Sequence, residues 1–145
     1  MRSVFLLFII ILWTSCSTSV RPISYGKDAC EHCRMTIMDK KFGAELITKK
    51  GKIFVFDSDE CLAQYVIKNP EQEKDMAAIW VADYENAGEL VELSKAFFVK
   101  SAYIISPMGE GLASFSNEPT AQKIATEFKG KILSWAELKA TVKPE

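Results

Sequence analysis

The apolar positions divide the chain into a leading block and two stretches of similar pattern. Residues 4–13 are an unbroken apolar run of ten behind Met1-Arg2-Ser3. That length suits the core of a signal peptide, whereas a membrane-spanning helix needs about 20. Residues 17–25 are polar without apolar period and read as a tether. Residues 42–48 then alternate in part and end at Lys49-Lys50-Gly51-Lys52, where Gly51 accepts the positive φ of a turn. Ile53-Phe54-Val55-Phe56 returns as the second strand of a hairpin. Asp57-Ser58-Asp59-Glu60 opens a helix, with Ser58 or Asp57 as cap and acids in the turn that the helix dipole favours. Leu62, Tyr65, Val66 and Ile67 make its apolar stripe, and Asn69-Pro70 stops it. Residues 76–81 read as a buried strand.

The second stretch repeats the plan. A slide of 58 residues aligns Ile47 with Ile105, Gly51 with Gly109, Ser58 with Ser116, Glu60 with Glu118, Ala63 with Ala121 and Gln64 with Gln122. Six identities in eighteen positions exceed the one or so that chance supplies. In this register residues 102–105 and 112–115 form the hairpin, and Ser116 or Asn117 caps a helix with Pro119 near its start. That helix ends at Gly130, a short strand follows at Ile132-Leu133, and residues 135–138 make a helical turn. The expected fold class is α+β, two small strand–strand–helix–strand units packed as a pseudo-repeat. The expected bounds are a signal peptide at 1–15, a lipid-anchored tether at 16–26, a first unit at 27–85 and a second at 86–145.

Composition changes this picture little. The 145 residues support one domain or two very small ones. With 18 basic and 19 acidic side chains there is no electrostatic footprint for nucleic acid. Cysteine usage says more. Thr14-Ser15-Cys16 ends the apolar run, and small residues before a cysteine resemble the lipobox of bacterial lipoproteins, although Trp13 stands where an aliphatic residue is usual. Cys16 would then be the lipidated first residue of a protein held in the cell envelope and facing the periplasm. Cleavage by an ordinary signal peptidase near Ser15 is the alternative. Cys30, Cys33 and Cys61 remain as thiols. An odd count in an oxidising compartment calls for protection by a metal, a reducing partner or pairing.

The candidate chemistry is concentrated in Cys30-Glu31-His32-Cys33-Arg34-Met35, which holds two thiols, a thioether and the single histidine. Such donors select Cu(I), zinc or an iron–sulfur cluster. In an extended segment Cys33 and Met35 point to one face. The second half supplies another thioether at Ser106-Pro107-Met108-Gly109, on a tight, proline-stiffened turn. Cys33, Met35 and Met108 are therefore expected to close on one Cu(I), with Cys30 reaching it where the chain turns. His32 and Cys61 are auxiliary candidates, Cys61 reading more simply as a small buried side chain in the first turn of a helix. Met38 and Met76 read as core, Phe97-Phe98 as core of the second unit, and the acids at 57–60 and 71–75 as solvated faces.

Rival readings use the same residues. A thiol–disulfide oxidoreductase would use Cys30 and Cys33, but its pair normally opens a helix after a buried strand, and the preceding Ser24-Tyr25-Gly26-Lys27-Asp28 is too polar for that. A structural zinc at Cys30, His32, Cys33 and Cys61 would leave Met35 and Met108 idle and has only one cysteine pair. Haem attachment needs histidine where Arg34 stands. A single histidine supports no serine–histidine–acid arrangement, so no enzyme is expected.

Taken together, Cys30-x-x-Cys33-x-Met35, Phe56-Asp57-Ser58 with Glu60-Cys61 after it, Ala96-Phe97-Phe98-Val99 and Ser106-Pro107-Met108-Gly109-Glu110-Gly111 resemble the NosL family of nitrous oxide reductase accessory lipoproteins. The resemblance runs over residues 28–138. It implies Cu(I) binding and delivery toward the copper–sulfide centre of nitrous oxide reductase, with that enzyme or its membrane assembly transporter as partner. Cys33, Met35 and Met108 match the family's ligand positions, with Cys30 next. Arg34 stands where the family commonly has Gly.

Overall fold

Pairing of the short apolar segments builds two antiparallel sheets in the computed structural model, which describes residues 20–142. The elements in chain order are β1 (Ala44–Thr48), β2 (Ile53–Phe56), α1 (Asp59–Lys68), α2 (Pro70–Asp75), β3 (Met76–Ala82), β4 (Leu90–Glu92), β5 (Phe97–Lys100), β6 (Leu112–Phe115), α3 (Glu118–Glu127), β7 (Lys131–Leu133) and α4 (Trp135–Thr141). The first sheet runs β2-β1-β3-β4 and the second β6-β5-β7. The leading apolar run and Cys16 lie outside the described residues. Among those described, no helix is long and apolar enough to cross a membrane.

Local chemistry accounts for the element ends. Gly51 takes φ 79° and its N–H closes the β1–β2 turn on the Thr48 carbonyl at 2.9 Å. The Ser58 side chain accepts the Cys61 N–H at 3.3 Å and caps α1. Pro70 then opens α2, where a missing N–H costs nothing.

Both halves place the strand after the helix beside the first strand of the hairpin, so the α+β repeat is present in the topology. Its register differs from expectation. The capping residues are Ser58 and Asn117, 59 apart, and Ser116 instead donates to the Asp83 carboxylate. Residues 102–105 are not a strand. The partner of β6 is β5, with Phe97 opposite Phe115 and Lys100 opposite Leu112. Residues 102–105 fold over Ser101, whose hydroxyl accepts the Tyr103 N–H at 3.1 Å and whose carbonyl accepts the Ile104 N–H at 3.2 Å. These bonds satisfy the backbone locally and leave Tyr103 and Ile105 exposed. The β5–β6 connection is consequently a long folded loop where β1–β2 is a tight turn.

The two halves are packed on a shared core. One core cluster joins Leu46, Phe56, Leu62 and Val81 of the first half to Phe98, Leu112, Leu138 and Val142 of the second. A smaller one gathers Val99, Phe115 and Ile124 around Phe42 from the first half. β4, in the part given to the second unit, extends the first sheet. The end of the supposed tether is docked as well, with Ile23 buried and Arg21 paired to Asp28 at 2.7 Å. Three other expectations change. Met38 is exposed rather than core, and Asp57, Asp59 and Glu60 are buried rather than solvated. Phe98 belongs to the shared core, and only Phe97 packs on the second cluster.

Candidate metal centre

The cysteine segment is a closed loop rather than an extended run. An isolated bridge joins Ala29 to Thr36, the Cys30 N–H donates to the Met35 carbonyl at 2.8 Å, and the Arg34 N–H donates to the Cys30 carbonyl at 3.0 Å. Reversal in so few residues requires a left-handed backbone at one position, and Arg34 supplies it with φ 65°. This is the position where glycine would be at ease, and arginine adopts it with its guanidinium paired to Glu31 at 3.3 Å. The Glu31 N–H fastens the loop to the Val55 carbonyl of β2 at 2.8 Å. Cys33 and Met35 therefore share no strand face, while Cys30 receives the turn it needs.

The loop brings Cys30 and Cys33 to Cys61, which stands in the first turn of α1. The three sulfurs all lie within 4.8 Å of one another, and all are free thiols. Cys30 and Cys61 are fully buried, and Cys33 is the partly exposed member of the group. Among the described residues it is the cluster of cysteine, histidine and acidic donors close enough to hold an ion, and His32 is not in it.

The electrostatics are asymmetric. The Cys61 thiol donates to Cys30, and the backbone N–H groups of Cys33, Asp57 and His32 point at the same sulfur. Together they outweigh burial and hold the Cys30 pKa down to about 5, so it is a thiolate at neutral pH. Donation to that thiolate, together with burial, pushes Cys61 far up. Burial raises Cys33, and the neighbouring Cys30 sulfur adds to this. Asp57 rises to about 6 through burial and then the charge on Cys30. A soft cation entering this pocket meets one ready thiolate and two thiols that must release protons to it.

Of the two thioethers, Met35 is about half-exposed and lines a cavity of about 380 Å³ with Met38, Asp57, Ile105, Ser106 and Pro107. Met108 is half-buried and, like Cys33, packs on the core cluster that contains Cys30 and Cys61. The cysteine loop and the Ser-Pro-Met-Gly turn thus border one region of the molecule. Cys61 is the residue to which sequence reasoning gave little weight. A lone cysteine in a helix turn carries no spacing signal, and only the odd thiol left beside a pair pointed to it.

Known proteins resemble the chain as a whole. The NosL family model matches residues 23–143. The copper-binding lipoprotein NosL of Stutzerimonas stutzeri is 26% identical over 129 residues, covering 83% of this chain and 67% of that protein. The crystal structure of the copper chaperone NosL from Shewanella denitrificans superposes with a TM-score of 0.70 at 25% identity, covering 83% of this chain and 95% of that one. The family match begins at the docked Ile23, takes in both sheets and all the sulfurs of the site, and extends past α4: the chain belongs to the NosL family.

Proposed function

We propose that this protein binds one Cu(I) at Cys30, Cys33 and Cys61, with the thioethers of Met35 and Met108 as further sulfur donors, and passes the ion to a copper-accepting protein. The observation that carries the reading is the convergence of three thiols, of which Cys33 is partly exposed. Cu(I) accepts two to four soft ligands without strict geometry. A thiolate grips it tightly, and a neutral thioether at the rim lets it leave. The family's named copper chaperone and copper-binding lipoprotein support the cargo. The recipient we infer is nitrous oxide reductase, during maturation of its copper–sulfide centre, or the membrane transporter that serves that assembly. The anchor is a lipid on Cys16, which holds the protein in the envelope facing the periplasm.

Anaerobic titration of the reduced protein with Cu(I) against a chromophoric chelator tests the reading, with about one equivalent bound. Cys33→Ser and Met108→Leu should each weaken binding. The oxidoreductase alternative draws on the Cys30 thiolate, yet that sulfur is buried where an attacking thiol must be reached. It would prevail if both variants kept wild-type affinity and the Cys30–Cys33 pair reduced insulin disulfides.

A further inference from the structure

The first turn of α1 sends two neighbouring side chains to different tasks. Cys61 places its thiol in the triad. Glu60, one residue earlier, is completely buried and reaches across to the second half. Its Oε1 accepts the Ser106 hydroxyl and the Leu112 N–H, the latter at 3.4 Å. Ser106 Oγ in turn accepts the Gly111 N–H at 3.0 Å, and the Ser106 carbonyl accepts the Gly109 N–H at 2.9 Å. Met108 lies inside that turn. One carboxyl group on α1 therefore holds both ends of the segment that carries the methionine.

Packing alone does not account for an acid here. Glu60 Oε2 is buried without a hydrogen-bond partner among the described residues, and an apolar side chain of similar size would avoid that penalty. Glu60 is also outside the group of converging donor atoms. What it does is link two elements that a sulfur site spanning both halves must keep in register.

We propose that Glu60 is a positioning residue of the metal site: by fastening Ser106 and Leu112 to α1 it sets the reach of the Met108 thioether relative to the thiol of neighbouring Cys61. The proposal rests on the reading of Met108 as a sulfur donor. Mounted on one helical turn, thiol and thioether move together when the helix moves, and the separation between them is preserved.

The test uses the reduced protein with its methionine methyl groups labelled with carbon-13. In the wild type the Met108 methyl resonance shifts when Cu(I) binds. Glu60→Leu, which removes the acceptor, and Ser106→Ala should each abolish that shift, leave the response of Met35, and lower affinity by about 10- to 100-fold. Combined with Met108→Leu, neither should cost further affinity, because the same ligand is already gone. Circular dichroism and cooperative unfolding of the apo variants identify any that has not folded. Ser106→Ala, which cuts the clamp from the loop side, then serves alone. A folded variant that keeps the Met108 shift and wild-type affinity overturns the proposal, as do losses that multiply with Met108→Leu. If Met108→Leu has no effect while Cys33→Ser abolishes binding, the copper reading survives and the clamp does not. If Cys33→Ser also has no effect, both fall.

Discussion

Cys30 shows how much of this site is made by backbone. Its thiolate needs no basic side chain, because a thiol and three peptide N–H groups converge on one sulfur. The loop that aims them depends on the left-handed Arg34. One consequence can be counted in protons. Cys30 is ionised at pH 7, whereas burial and the Cys30 charge keep Cys33 and Cys61 protonated. Filling the site with three thiolates should therefore release about two protons per Cu(I) at neutral pH, and apparent affinity should rise with pH. Release measured in a weakly buffered titration should drop to about one in Cys61→Ser, and an unchanged value would remove Cys61 from the ligand set. The sequence carried the other sulfurs well, since two cysteines and a methionine in six residues are a local pattern. Cys61 was illegible because its meaning comes from α1 packing over the loop, which no spacing records.

At the level of elements, legibility followed the strength of local signals. β2 and the Ser58 cap were readable because a continuous apolar run and a capping residue act within a few positions. α2 was not, having no buried residue and hence no apolar stripe, and β4 is only three residues long. The run Ala102-Tyr103-Ile104-Ile105 misled for the opposite reason. Its β-branched and aromatic residues have strand propensity, but tertiary pairing went to Phe97–Lys100. The loop it belongs to is shaped instead by Gly111. Gly111 has φ 72°, and a Cβ there would sit 2.1 Å from the Ser101 carbonyl oxygen. Gly51 has φ 79° with open space around it. Gly51→Ala should thus cost only the backbone term, about 1 kcal/mol, and Gly111→Ala at least about twice that. Urea unfolding of the two variants decides the matter, and equal losses would show that the loop yields without resistance.

The whole molecule couples these pieces through a core shared by both halves and lined with buried acids, and that coupling should appear in its dependence on pH. Burial raises Glu45 to about 7 and Asp57 to about 6, and pushes Asp59 well above its ordinary value. An acid whose pKa is raised by folding keeps its proton in the native state after the unfolded chain has lost it. Its unfavourable contribution is therefore absent below the unfolded value and complete above the folded one. Cys30 works the other way: its pKa falls from 9.0 to about 5, so it adds stability as pH rises through that interval. Between about pH 5 and 6 three carboxyls oppose one thiolate, and the native apo protein binds the greater number of protons. Its stability should consequently fall as pH rises from 5 toward 7, by something on the order of 1–3 kcal/mol. Glu45→Gln should flatten the part of that slope nearest neutrality. Cu(I), which stabilises the native state by binding it alone, should reverse the trend because its own affinity grows with pH. Chemical denaturation across this range, with and without metal, tests both signs, and an apo protein that gains stability toward pH 7 would mean that the buried carboxyls are solvated or paired after all.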